Sequence, residues 1–368
     1  MKNNKNKENV KKENIIIDDE FLDVADAILT TIDNYRAFTI KPVKPTAYAK
    51  LKMKDLVQMF EDENFYKFSK KQICEICTEL VTRLSRQISS IPSVVKPNKN
   101  PDMNYLMFTE SKTNKIDINF EEFSKRCADG HPFLKPENVG IHYLHSIMHE
   151  LYHTLQNYNF YKFLEGMPYE KDTICSTIQD VLSGTYLMEF EDEEDTMTLY
   201  DADLDELNAN IFAAKMMDKF IEKDYFKDPK AVERISKYIN ALVCDNYSKE
   251  AINFSKQCYL SNKKALSKVK YLENKDLVSD DPAANGLVLL NEEEIMVLKS
   301  VYDFVSGLDM RKYQAKMLDE VIKYEQEFSA YALGKTDEEL GFIDDEQDKI
   351  EQDTDNKKEN EQINAQEK

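Results

Sequence analysis

The sequence predicts a helix-rich α+β protein with a polar tail at each end. Apolar residues recur at three- and four-residue steps through most of the middle of the chain, which is typical of amphipathic helices. A short stretch near residues 105–120 is β-prone instead. Residues 1–17 and 336–368 are rich in charged and amide side chains. Such segments bury too little apolar surface to offset the entropy of ordering them, so we expect both tails to be disordered.

The first folded region contains two predicted helices. The earlier helix begins near Asp18, and the later one runs from about Lys70 to Ser89. Three prolines interrupt the next segment, Ile91–Pro101, which is therefore predicted to be a linker or a turn. The apolar stripe of the earlier helix consists of Phe21, Leu22, Ala25, Ile28, Leu29 and Ile32.

A β-hairpin is predicted after this linker. Tyr105–Thr109 and Lys115–Phe120 are short and β-prone, and a Ser-Lys-Thr-Asn turn separates them. These two segments are the strands of the expected sheet.

Helices follow the hairpin. One is predicted from Pro136 to about Asn157, because proline suits the first turn of a helix. Another begins near Asp203, where carboxylates favour a helix N-terminus, and continues past Phe220. The predicted regions are a disordered tail (1–17), a helical N-terminal region (18–98), a catalytic core (99–226), a helical C-terminal region (227–335) and an acidic disordered tail (336–368).

Charge and hydropathy exclude several classes of function. The formal net charge is -20, so the surface repels phosphate backbones and anionic lipids, and we expect neither nucleic-acid nor membrane binding. No segment reaches the length of a membrane-spanning helix. The apolar run Ile15–Ile17 is too short for a signal peptide, which indicates a cytoplasmic protein. The 6 cysteines are sparse for this length, so free thiols are expected rather than a disulfide framework.

One motif carries chemistry. His149, Glu150 and His153 form an H-E-x-x-H pattern on a predicted helix. Residues four apart lie on the same helical face, so the two imidazoles can bind a single ion, which we expect to be Zn²⁺. Glu150 is offset by one residue, which lets its carboxylate contact a water on that ion. The spacing is what metal-assisted hydrolysis needs.

A third ligand must come from elsewhere in the chain. No histidine follows His153, and Gln156 occupies the glycine position of the longer metzincin pattern, so a carboxylate is required. Glu206 is the best candidate, because it shares a helical face with Asn210, which can orient a ligand imidazole through a hydrogen bond. The alternative ligands are Asp203, Asp205 and Glu170.

These two motifs resemble the gluzincin metallopeptidases. The segment Glu206-Leu-Asn-Ala-Asn-Ile-Phe-Ala is similar to the E-x-x-A-[DN]-x-x-A helix of the Ste24/HtpX-type and ImmA/IrrE-type families. The resemblance covers about residues 104–217. It implies a zincin-like core of a small sheet, a metal helix and a glutamate helix. It also implies that Lys115–Phe120 is the strand edge that receives an extended substrate.

An oxyanion donor is also expected from this resemblance. Many gluzincins use a downstream histidine to stabilise the oxyanion, and this chain has none. The candidates that could replace it are Tyr169, Tyr186 and Tyr200.

Two further patterns have weaker implications. His142 and His145 precede the motif on the same helical face, which leaves a second metal open, although structural histidines explain them better. Cys74 and Cys77 have C-x-x-C spacing but no partner pair, so they are interpreted as buried free thiols.

The sequence thus predicts a zinc-dependent metallopeptidase that hydrolyses a protein or peptide, with Glu150 as the base. The rival interpretation is a non-catalytic binding or regulatory protein stabilised by zinc. A second rival is a helical scaffold that holds no metal.

Overall fold

The computed structural model describes residues 19–61, 65–99, 105–128, 138–183, 204–245, 249–272 and 290–309, and scattered positions from 312 to 326. Both predicted tails, 1–17 and 336–368, lie outside these residues. The described residues form a helix-rich α+β protein, as predicted. Contacts group the chain into two units, and the predicted linear division into regions stays a prediction. The first unit comprises 1–37, 159–204 and 248–310, and the second comprises 38–158, 205–247 and 311–368.

The sheet of the second unit has three strands. They are β1 (Val94–Pro97), β2 (Met107–Thr109) and β3 (Lys115–Ile118), in the spatial order β1-β3-β2. Strands β2 and β3 pair antiparallel, so the predicted hairpin is confirmed. Strand β1 pairs parallel with β3, with Val94 opposite Lys115.

Two expectations about this sheet were wrong. Ile91–Pro101 was interpreted as a linker, but its β-branched pair Val94 and Val95 begins strand β1. Its prolines are tolerated because β1 is an edge strand in the described sheet. Strand β3 was taken as the substrate edge, but it lies in the centre and its backbone groups are used on both sides.

Helices cover the buried face of this sheet. The second unit contains α2 (Met53–Gln58), α3 (Lys70–Gln87) and α4 (Phe120–Ala128). A capping box at Ser69 begins α3, since Ser69 and Gln72 exchange side-chain and backbone hydrogen bonds. The hydroxyl of Thr78 on α3 accepts a hydrogen bond from the backbone of Val95, which fixes the helix against β1.

Three more helices belong to the second unit. Helix α5 (Val139–Leu164) carries the H-E-x-x-H motif, α7 (Leu204–Glu222) carries Glu206, and α8 (Pro229–Asp245) follows. The hydrophobic core of this unit joins helices α2 to α5, α7 and α8 to the sheet. Its fully buried members include Leu80, Ile116, Ile118, Leu144, Ile147, Leu151, Ala213 and Met217.

The metal helix starts where the chain approaches another segment closely. A Cβ atom at Gly140 would overlap the backbone carbonyl of Phe60, so only glycine fits at this point. Helix α5 also extends further than the predicted end at Asn157. Its aromatic continuation contains no helix breaker before Gly166, which has a positive φ of 65° and ends the helix.

The first unit is helical in its described part. It contains α1 (Asp19–Arg36), α6 (Lys171–Ser183), α9 (Lys249–Leu266) and α10 (Glu292–Ser306), together with the last residues of α5. The predicted apolar stripe of α1 is confirmed, since Phe21, Ala25, Ile28 and Ile32 are buried.

Within the residues that the structure covers, no helix combines the length and the apolar character that a membrane crossing requires. The cysteines at 74, 77, 127, 175 and 258 are all free thiols, as expected. Cys74 and Cys77 are buried, and burial raises the pKa of both thiols. Buried neutral thiols fit a packing role for this pair.

Candidate metal centre

The three expected ligands converge. His149 and His153 lie one turn apart on α5, and Glu206 lies in the first turn of α7. The positive end of the α7 dipole favours a carboxylate at that place. Their ligand atoms all lie within 4.8 Å of one another, and in the described residues this is the one His/Cys/Asp/Glu group that could hold a metal ion.

The spacing of these atoms suits a small cation. The Nε2 atoms of His149 and His153 are 3.0 Å apart. The carboxylate of Glu206 places one oxygen 3.1 Å from Nε2 of His149 and the other 3.3 Å from Nε2 of His153. Ligand atoms in a tetrahedral site with bonds of about 2 Å are separated by about 3.3 Å. The three side chains therefore form a group that could hold one metal ion.

Hydrogen bonds orient both imidazoles. Nδ1 of His149 lies 2.7 Å from Oδ1 of Asn210, and Nδ1 of His153 lies 2.8 Å from Oε1 of Gln156. Amide oxygens accept hydrogen bonds, so each ring carries its proton on Nδ1. Nε2 of each ring faces Glu206, and it is the nitrogen left to bind a metal ion when the ring is neutral.

Gln156 is a site residue that the sequence analysis missed. Its side-chain nitrogen donates to Oδ1 of Asp205 at 2.8 Å and to the backbone oxygen of Asp205 at 3.2 Å. Gln156 is 1% exposed, so this side chain is wholly inside the protein. The available signal was its spacing, because a residue three positions after His153 lies beside it on a helix.

Glu150, the expected base, is also buried and hydrogen-bonded. Glu150 is 7% exposed, and its Oε2 accepts a hydrogen bond from the hydroxyl of Thr109 at 2.7 Å. The same hydroxyl lies 2.9 Å from the backbone oxygen of Glu150. Thr109 is the last residue of β2, so the hairpin and the metal helix meet at the base. The sequence predicted the hairpin but not the contact between Thr109 and Glu150.

The charges around the group favour a cation. Burial lowers the pKa of His153, but the carboxylates of Glu206 and Glu150 outweigh burial and raise it to about 10. Burial raises the pKa of Glu206, but the charge and hydrogen bonds of His153 and His149 hold it well below its usual range. Without an ion, a proton on His153 supplies the positive charge, and a metal ion can take its place.

Among the described residues, none of the alternative ligands belongs to the group of three. Asp205 accepts the hydrogen bond from Gln156. Glu170 belongs to the first unit, and its backbone nitrogen donates to Asn159. Asp203 lies outside the described residues.

His142 and His145 do not join the group of three. Both are buried on α5, at 8% and 5% exposure. Burial lowers the pKa of His145 to about 3, the charges of His149 and His142 lower it further, and a hydrogen bond to Asn240 opposes them. His145 is therefore a neutral, buried imidazole. The preferred interpretation of this pair as structural histidines stays a prediction, and so does the second metal that the sequence left open as an alternative.

The oxyanion donor also stays a prediction. Tyr169 belongs to the first unit, where its ring packs against Phe163 and Phe304. Tyr186 and Tyr200 lie outside the described residues.

Comparison of the chain with protein-family models, with curated proteins and with solved structures finds no match.

Proposed function

We propose that this chain is a zinc-dependent metallopeptidase that hydrolyses peptide bonds in a protein or peptide substrate. The observation that carries the proposal is the convergence of His149, His153 and Glu206 beside a buried glutamate. His149 and His153 would bind zinc through Nε2, and Glu206 through its carboxylate. The donor set of two neutral nitrogens and one carboxylate is that of a hydrolytic zinc site with an open position.

Zinc held by this group would lower the pKa of a water molecule and polarise the scissile carbonyl. Glu150 is the residue that moves the proton, because it follows the first ligand directly on the helix. Thr109 engages Oε2, and no described residue donates a hydrogen bond to Oε1. Oε1 is therefore the oxygen that takes the proton from water and passes it to the leaving amine.

The edge of β2 that faces away from β3 is the proposed binding site for extended substrate, since no described strand pairs with it. Backbone hydrogen bonds join Glu110 to Lys115 and Asn119 to Leu106. Since antiparallel bonds alternate along a strand, Phe108 directs its backbone toward β3, while Met107 and Thr109 direct theirs away. A peptide can add to those outward groups as a further strand. Because Thr109 also donates a hydrogen bond to Glu150, a peptide bound along this edge would lie close to the proposed base.

Replacing Glu150 with Gln tests the proposal against its rival. The full chain, purified without chelators, should contain about one zinc per molecule. Incubated with a peptide library derived from whole-cell protein, it should generate new N-termini that mass spectrometry detects. The Glu150→Gln variant should keep its zinc and generate none. Glu222→Gln changes an exposed glutamate of α7 in the same way and serves as the matched control.

Three outcomes contradict the proposal. If wild-type protein from cells grown with added zinc contained no metal, the proposed zinc centre would be contradicted. Zinc-loaded protein whose cleavage survives Glu150→Gln would show that Glu150 is not the base. Zinc-loaded protein that cleaves nothing would favour a binding or regulatory protein that uses zinc for stability.

A further inference from the structure

The side chain of Gln156 connects the two motifs of the candidate centre. Its oxygen lies 2.8 Å from Nδ1 of His153, and its nitrogen lies 2.8 Å from Oδ1 of Asp205. Gln156 and Asp205 are 1% and 3% exposed, so water does not compete for these bonds. Asp205 directly precedes the third ligand, Glu206. One amide therefore links the metal helix α5 to the first turn of α7.

The direction of these hydrogen bonds is determined by Asp205. The nitrogen of Gln156 faces two oxygens of Asp205, its carboxylate and its backbone carbonyl, and both can only accept. The amide can therefore have only one orientation, with its oxygen toward His153. That oxygen requires a proton on Nδ1, which leaves Nε2 free to bind a metal.

We infer that Gln156 and Asp205 are positioning residues, which together fix the ring orientation and the tautomer of His153. Asn210 orients His149 through a direct hydrogen bond. Gln156 orients His153 in the same way, but Gln156 is itself held by Asp205. An amide side chain suits the position between His153 and Asp205, because its oxygen accepts a hydrogen bond and its nitrogen donates one. The inference rests on the proposed function only where zinc is the probe.

The direction of the hydrogen bond from Gln156 to Asp205 can be tested by exchanging the amide and the carboxylate between the two residues. Gln156→Glu places a carboxylate against the oxygens of Asp205, so like charges meet inside the protein. Asp205→Asn on its own should be tolerated, because an amide oxygen can accept from Gln156 as the carboxylate does. The double variant Gln156→Glu with Asp205→Asn restores a donor opposite an acceptor. All three variants keep the side-chain volumes nearly unchanged.

Two measurements on the full chain show whether Gln156 and Asp205 orient His153. The first is zinc affinity by competition with a chromogenic chelator. The second is the Nδ1–H signal of His153 in protein labelled with ¹⁵N-histidine, and only 5 histidines contribute to this spectrum. The second readout needs neither activity nor metal. Gln87→Ala removes an exposed glutamine at the end of α3 and is the control.

We expect Gln156→Ala to weaken zinc binding about 10- to 100-fold, as removal of a partner of a metal-bound histidine does. It should also remove the slowly exchanging Nδ1–H signal. Gln156→Glu should be impaired similarly, and the double variant should recover most of the affinity and the signal. If Gln156→Ala does not fold, the volume-conserving variants decide alone.

The inference is overturned if Gln156→Ala keeps both readouts, or if the double variant is no better than Gln156→Glu. Failure of the proposed function looks different. A wild-type protein that binds no zinc would end the peptidase proposal, while the Nδ1–H signals would still show whether Gln156 and Asp205 hold His153.

Discussion

The hydroxyl of Thr109 donates to the carboxylate of Glu150 across 2.7 Å, which joins the end of a strand to the middle of a helix. Both residues are buried, at 7% exposure each. Thr109→Val keeps the shape and removes the donor. We expect cleavage to fall about 10- to 100-fold, because a poorly placed base loses its alignment with the water. Zinc content should not change.

Thr109→Ser is the control for this prediction, since it keeps the hydroxyl. The free energy of unfolding should fall by about 1 to 3 kcal/mol in Thr109→Val and by less in Thr109→Ser, because the buried carboxyl group of Glu150 loses its hydrogen-bond donor only in the former. Full activity in Thr109→Val would show that the bond does not position the base. Steady-state kinetics and chemical denaturation supply both numbers.

Zinc binding should depend on pH through His153. The raised pKa of His153, about 10, means that the metal-free folded protein holds this proton more tightly than the unfolded chain, where histidine titrates near 6.5. This stabilisation is complete below about pH 6.5 and is lost as the pH rises toward the folded-state value. Zinc needs the deprotonated ring, so its affinity should rise over the same window.

Thermal unfolding with and without zinc checks this expectation. Between about pH 6.5 and 9, the Tm of metal-free protein should fall and the increase in Tm caused by zinc should grow. His153→Gln removes the titrating group and should flatten both trends. A zinc-induced increase that shrinks with pH would contradict the assignment.

Glu206 should matter for metal binding more than any other carboxylate near the site. Glu206→Gln removes the negative charge that pairs with both imidazoles at 3.1 and 3.3 Å. We expect zinc affinity to fall by more than about 100-fold, beyond the effect of losing an outer hydrogen bond. Glu222→Gln on the same helix should bind zinc normally. Equal affinity in both variants would reopen the choice of the third ligand.

Phe108 should contact the substrate. Its side chain is 47% exposed on β2, and it packs against Tyr105 with ring centroids 5.3 Å apart. A side chain of an added strand would lie across from it, and such pairs contribute about 0.2 to 1 kcal/mol. Phe108→Ala should therefore raise KM about 2- to 5-fold and leave kcat unchanged. Ile40→Ala, another exposed apolar residue of the same unit, should change neither.

Gly140 should tolerate no side chain. Gly140→Ala places a methyl group on the carbonyl of Phe60, and this overlap should cost about 1 to 3 kcal/mol despite the better helix propensity of alanine. Gly307→Ala is the contrast, because its nearest neighbours are 3.5 and 3.6 Å away. Denaturant unfolding of the two variants compares them directly.

Local spacing was enough to predict part of the site. The four-residue step between His149 and His153 places them on one helical face, and the same rule relates Glu206 to Asn210. The contacts of Thr109 with Glu150 and of Gln156 with Asp205 could not be predicted, because they depend on how separate elements pack. Strand β1 was missed because three prolines outweighed two valines in a short segment. The central position of β3 depended on that missed strand.

The link between Gln156 and Asp205 also suggests how chains of this kind can be searched for. The two short motifs become one discontinuous signature. It consists of histidine, glutamate, a second histidine, glutamine three places later, and then a carboxylate directly before the proposed third ligand. Because the amide needs an acceptor on α7, the glutamine and the residue before the ligand should change together in related chains. An alignment could be scored on that covariation where overall similarity is too low to detect.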